Sequence, residues 1–149
     1  EHWSPGRRYL VVANHPSLID IVFLIGLFDG ADCIVKGPVL RNPAFGRLAR
    51  AADYVSNDDT VALVEEATRR VLAGRTVVLF PEGTRTEPGQ PLRFGNLAAT
   101  IAVRAGCEVL PVVIRCEPPT LYKGLPWYRV PARQPVFTLQ ICPAWPVPA

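Results

Sequence analysis

The chain has 149 residues, enough for one domain with its own hydrophobic core. Hydrophobic residues make up 49% and charged residues 19%, which excludes a disordered chain. A net charge of +3 is too mild for a dedicated nucleic-acid binder. In chain order, Tyr9–Ala13 (YLVVA) is an apolar run that reads as a buried strand, and His15-Pro16-Ser17 follow as a loop with Ser17 as candidate helix cap. Leu18–Phe28 is apolar except for Asp20 and reads as a helix closed by Asp29-Gly30, either buried or laid against lipid. Asp32–Lys36 and Asp53–Ser56 are expected strands. The segment between them mixes Arg41, Arg47 and Arg50 with Leu40, Phe45 and Leu48.

Asn57–Asp59 cap an amphipathic helix over about Thr60–Ala73. Val61, Val64, Thr68 and Val71 form its apolar face, and the pairs Glu65/Arg69 and Glu66/Arg70 lie on the other. Thr76–Pro81 (TVVLFP) reads as a central strand, Glu82–Pro91 as a polar loop, and Asn96–Ala105 as a helix stopped by Gly106. Val109–Ile114 is a strand whose Pro111 implies an edge or a bulge. A Pro-rich irregular stretch follows, with Trp127 and Tyr128 as interfacial anchors or, for at least one of them, core. Val136–Cys142 is a last, alternating strand. Alternating strands and helices give an α/β domain over 1–149, with a mostly parallel central sheet flanked by helices. The chain opens on Glu1 and has no Met, which reads as a fragment or processed product. It has no apolar run of about 18 residues to span a bilayer.

Cys33, Cys107, Cys116 and Cys142 form no CxxC pair. Buried, inert thiols are therefore expected, rather than a zinc site or disulfide framework. The two histidines, His2 and His15, lie too far apart to suggest a metal site, and none is expected.

Two constellations carry chemistry. In Asn14-His15-Pro16-Ser17-Leu18-Ile19-Asp20, a strand-end histidine meets a carboxylate across a strand–loop–helix corner. A carboxylate on one ring nitrogen fixes the tautomer and raises the basicity of the other. Asp20 is the only charge in its apolar stretch, and a buried carboxylate needs a partner. The plain alternative is a loop histidine beside a capping aspartate. In Phe80-Pro81-Glu82-Gly83-Thr84-Arg85, a loop leaves the carboxyl end of a strand, where α/β sheets bind ligands. Gly83 permits positive φ, and Arg85 offers a fork for phosphate or carboxylate. The plain alternative is an ordinary Pro-Glu-Gly turn.

NHxxxxD followed about sixty residues later by FPEGTR resembles the PlsC-like glycerolphosphate and lysophospholipid acyltransferase family. Lys36 with Asn42–Gly46, and Val109–Ile114 with Pro111, resemble further family segments, so the likeness covers about Tyr9–Ile114. The resemblance implies the glycerol-3-phosphate acyltransferase-like fold and acyl transfer from acyl-CoA or acyl-carrier protein to a lipid hydroxyl. No other cofactor is implied. By the same resemblance His15 is the general base and Asp20 orients it. Glu82, Gly83, Thr84, Arg85 and Lys36 bind substrate. The expected partners are the acyl donor, a lipid acceptor and a membrane surface. The expected place is the cytoplasmic face of a membrane, held peripherally or by a segment outside this sequence.

Two features depart from the family pattern. Ser56-Asn57-Asp58-Asp59 has no basic residue where many family members that acylate lysophosphatidate carry an Arg, and Asp58 and Asp59 would repel a phosphate placed close by. Phe94 is followed by Gly95-Asn96-Leu97, without the usual basic residue. The altered acceptor segment keeps open a non-catalytic lipid-binding relative, and a separate alternative is a thioester or ester hydrolase with a nucleophile activated by His15, for which no GxSxG elbow occurs.

Overall fold

The structure, a computed structural model, describes residues 4, 7, 9–35, 55, 56 and 59–147. Lys36, the Arg41–Arg50 segment, Asn57 and Asp58 lie outside the described residues. Among the described residues six strands form one sheet: β1 (Leu10–Ala13), β2 (Asp32–Val35), β3 (Val55–Ser56), β4 (Val77–Leu79), β5 (Val109–Glu117) and β6 (Val136–Ile141). The spatial order is β3-β2-β4-β1-β5-β6, parallel throughout except for the antiparallel β5/β6 pair. Among the described residues the helices are α1 (Asp20–Leu27), α2 (Thr60–Leu72) and α3 (Leu97–Ala105).

Parallel strands covered on both faces need apolar side chains at every position, and β1 and β4 have them. Leu10, Val77 and Leu79 pack with Leu63, Val64, Ala67 and Val71 of α2 and Ile101 and Ala102 of α3. Val11, Ala13 and Val78 turn to the opposite face and meet Leu24 of α1, Phe28, and Leu110, Val112 and Ile114 of β5. Each fully buried Val or Leu contributes about 1.5–3 kcal/mol of transfer free energy. β6 is an edge strand and alternates: Phe137, Leu139 and Ile141 are half-buried, while Val136, Thr138 and Gln140 are exposed. The rings of Phe137 and Phe23 of α1 lie 4.8 Å apart.

Several expectations change. Ser17 is not the cap of α1. The cap position is Ile19, without a side-chain bond, and Ser17's own N–H donates to Asp20 at 2.7 Å. Nor is α1 buried all round, because Leu18 at its entry, Val22 and Leu27 are exposed. On α2 the buried stripe is Leu63, Val64, Ala67, Arg70 and Val71, while Val61 is 65% exposed. Pro111 lies in an interior strand, in parallel register with Val12, so the edge reading fails, and the irregularity beside it carries its extra residue on the partner segment. The β5/β6 ladder ends at Val112↔Ile141 and resumes at Val109↔Trp145, three steps along one chain against four along the other. Pro111 sits at that break and accepts the Cys142 N–H at 2.9 Å. Trp127 and Tyr128 stack edge-to-face and are 78% and 70% exposed, so neither is core.

Candidate active site

The register Val12↔Leu79 brings the carboxyl ends of β1 and β4 side by side. The loops that leave them, 14–19 and 80–96, therefore meet although 67 residues separate His15 from Glu82. The β1/β5 pairing Ala13↔Val112 flanks the other side. Asn14 extends that ladder with its side chain. Its Nδ2 donates to the Ile114 carbonyl at 2.8 Å, and its Oδ1 accepts the Ile114 N–H at 2.7 Å.

His15 projects from this corner with 17% of its side chain exposed. Its Nδ1 lies 2.9 Å from Asp20 Oδ2, and the Asp20 side chain is fully buried. A carboxylate in that place selects the Nδ1–H tautomer and leaves the Nε2 lone pair free to take a proton. The Phe80 ring stacks on the imidazole at 4.0 Å and 16°. Asp20 Oδ2 also accepts the Ser17 N–H, whereas Asp20 Oδ1 and Ser17 Oγ are buried without a protein partner. The strand–loop–helix corner inferred from HxxxxD is thus formed.

The second loop meets the first through the main chain of His15. Glu82 Oε1 accepts the His15 N–H at 2.9 Å, and the Thr86 N–H donates to the His15 carbonyl at 2.7 Å. The Thr86 hydroxyl lies 2.8 and 2.9 Å from the two Glu82 oxygens. Glu82 was expected to bind substrate; in the structure its carboxylate is engaged on the protein. Gly83 turns the chain at φ +64, where an L side chain is strained, and its N–H donates to Phe80. Thr84 is exposed. Arg85 is half-buried, and its Nη1 donates to the carbonyls of Leu121 at 2.8 Å and Tyr122 at 3.3 Å. The Leu121 carbonyl also accepts the Leu18 N–H at 3.1 Å. Leu121 stands at φ 54, an uncommon conformation for a bulky residue, and its carbonyl joins the two motif loops.

Sequence reasoning did not single out Thr86, and nothing local to Leu121 marked it. Phe80 and Asn14 lay within the motifs, but their roles needed the sheet register. Among the described residues no three His, Cys, Asp or Glu side chains gather as a metal site. Burial pushes the Cys116 thiol up, and the Asp20 and Glu117 carboxylates push it the same way, so it stays a protonated thiol beside the site. Asp59 spends its carboxylate on the amino end of α2, accepting from Val61 and Ala62 at 2.9 and 3.2 Å.

A family model described as Acyltransferase matches residues 1–115. The chain is 29% identical over 114 residues to the 1-acyl-sn-glycerol-3-phosphate acyltransferase of Cocos nucifera, covering 72% of this chain and 37% of that protein. It is 29% identical over 120 residues to the 1-acyl-sn-glycerol-3-phosphate acyltransferase alpha of Homo sapiens, covering 76% and 42%. Among solved structures it is similar to the 1-acyl-sn-glycerophosphate (LPA) acyltransferase PlsC from Thermotoga maritima. There the TM-score is 0.72 at 29% identity, over 97% of this chain and 58% of that one. The chain spans less than half the length of these curated relatives.

Proposed function

This chain belongs to the acyltransferase family, and from that premise we propose that it moves a fatty acyl group from a thioester to the hydroxyl of a lysophospholipid-like acceptor. The donor is acyl-CoA or acyl-carrier protein. The observation that carries the reading is the His15–Asp20 pair, 2.9 Å apart with the carboxylate fully buried, beyond the carboxyl ends of the parallel strands β1 and β4. His15 Nε2 takes the proton of the acceptor hydroxyl, and Asp20 stabilises the imidazolium that forms. The acceptor oxygen bonds to the thioester carbonyl carbon. The tetrahedral intermediate then expels the thiolate, which is protonated as it leaves. Base catalysis of this kind contributes about 10²–10⁴-fold.

For the acceptor, Arg85 keeps guanidinium N–H groups beyond the Nη1 that holds Leu121 and Tyr122, and these suit an anionic headgroup. Lys36, Gly83 and Thr84 keep their place in this reading on the family resemblance. The relatives are named for 1-acyl-sn-glycerol-3-phosphate acylation, which supports a glycerophosphate acceptor. The acidic Asp58-Asp59 pair weighs against a phosphate held close to it.

A membrane surface as partner is supported by exposed apolar residues on three segments: Leu18 and Val22, Leu92 and Phe94, and Trp127, Tyr128 and Val130. Arg93, Arg129 and Arg133, all exposed, accompany them, as an anionic bilayer requires. The proposed place is the cytoplasmic face of a membrane, with attachment peripheral or through a further segment. No helix among the described residues is long and apolar enough to cross a bilayer.

The test is an acyl-transfer assay on the full-length protein, with palmitoyl-CoA and palmitoyl-carrier protein against lysophosphatidate and non-phosphate acceptors. Transfer that falls by about 10²–10⁴-fold in His15→Ala is expected. Transfer that survives in His15→Ala overturns the mechanism. Thioester hydrolysis without transfer, lost in His15→Ala, assigns a hydrolase instead.

A further inference from the structure

We infer that Thr86, acting through Glu82, is a positioning residue that sets the catalytic histidine from its main chain. The inference rests on the reading of His15 as the base. The β1/β4 ladder ends at Val12↔Leu79, three residues before His15. A residue so far past its strand has lost its regular backbone partners, and its N–H and C=O need others. Both are supplied by the opposite loop: the N–H by Glu82 Oε1 at 2.9 Å and the C=O by the Thr86 N–H at 2.7 Å.

The bond to Glu82 is charge-assisted and stronger than a ladder bond. The Thr86 hydroxyl, 2.8 and 2.9 Å from the two Glu82 oxygens, fixes the plane of that carboxylate. The four groups close a ring: His15 N–H, Glu82 carboxylate, Thr86 hydroxyl and Thr86 N–H back to the His15 carbonyl. Asp20 and Phe80 then act on the ring of a residue whose backbone is already held. Displacing a reacting group by about 1 Å costs about 10²-fold. A bracket that holds the His15 backbone therefore acts on turnover.

A substrate-binding role for Glu82 and the positioning role make opposite predictions. Thr86→Val keeps the size and the N–H and removes the hydroxyl. It is expected to lower kcat by about 10-fold while the acceptor KM stays within about two-fold. Thr86→Ser restores the hydroxyl and is expected to recover most of kcat. Glu82→Gln keeps an oxygen for the His15 N–H and is expected to cost less than Glu82→Ala, which loses about 10²-fold. Because the two residues act as one unit, Thr86→Val added to Glu82→Ala is expected to lower kcat no further.

Each kinetic variant is paired with a thermal midpoint, and Thr86→Ser against Thr86→Val decides the matter if Glu82→Ala does not fold. A loss confined to KM, or full additivity in the double variant, overturns the proposal and returns Glu82 to the acceptor. Full activity in His15→Ala is a separate outcome: it removes the base itself, whatever Thr86 does.

Discussion

Asp20 has no exposed surface and sits on a helix whose other residues are apolar. A buried ionised carboxylate is costly unless its oxygens are bonded. One oxygen, Oδ2, takes both the Ser17 N–H and His15 Nδ1. The other oxygen, Oδ1, has no protein partner, so the carboxylate is held on one side only, against the ring that would become an imidazolium in the proposed mechanism. Asp20→Asn keeps the shape and removes the charge. It is expected to lower kcat by about 10²-fold or more with the fold intact. The check is kcat beside a near-UV spectrum, and a variant with native kcat would show that the carboxylate charge plays no part. Gly83 is the other residue whose chemistry is settled locally, because its φ of +64 excludes a side chain without strain.

At the scale of the element, α2 shows how tertiary contacts revise a helical wheel. Its period is legible in the sequence, and its buried face is Leu63, Val64, Ala67 and Val71. Arg70, expected on the solvent face, is 6% exposed instead. It reaches Asp32 Oδ1 at 3.1 Å and Glu66 at 2.7 Å, which binds the helix to β2. Glu66 takes Arg69 as well, at 2.6 Å. The helix begins where Asp59 caps two orphan N–H groups. Asp59→Ala is expected to cost about 1 kcal/mol. Urea unfolding measures this directly, and an unchanged midpoint would mean that other groups satisfy the first turn. Helix α3 ends as its sequence requires, with Gly106 at φ 53.

Across the whole molecule, a buried ionic cluster at the amino end of β2 fastens helix α2 to the sheet. Asp32 has no exposed surface and is paired by Arg70 and by Nε and Nη2 of Arg75. Such clusters contribute through geometry more than through net free energy, and breaking one partner leaves a buried charge uncompensated. Glu66 gives this cluster a pH signature. Its hydrogen bonds to Arg69 and then Arg70 lower its pKa from the ordinary 4.5 to about 2. Between those values the unfolded chain binds more protons than the native one, so stability rises with pH there. The contribution is complete above about 4.5 and is lost as pH falls toward 2. Unfolding midpoints from pH 2 to 6 are expected to fall more shallowly on acidification in Glu66→Gln than in the parent. Parallel curves would show that the pair is no tighter when native than when unfolded. The thiols belong to this scale too: Cys33, Cys107 and Cys116 are buried by layers packed from distant segments, and only Cys142 is half-buried.

What the sequence determined by itself is what local physics decides. Apolar runs give the strands, the 3.6-residue period gives α2, glycines at positive φ give the stops, and HxxxxD spaces a histidine and a carboxylate across one corner. The α/β class and the family followed from these, because each signal is complete within a dozen residues or in one pair of motifs. Only the tertiary structure decided what the side chains in those motifs touch. The register of β1 on β4 sets Glu82 and Thr86 against the His15 backbone, where the sequence suggested a ligand. The left-handed Leu121 gathers Arg85 and Leu18 on one carbonyl. Arg70 is buried because Asp32 waits in the neighbouring strand, and Trp127 and Tyr128 lie exposed because no layer covers them among the described residues. The physical reason is the same each time. Hydrogen-bond partners and cover are set by distances in space, and chain spacing specifies those only within a turn, a cap or a corner.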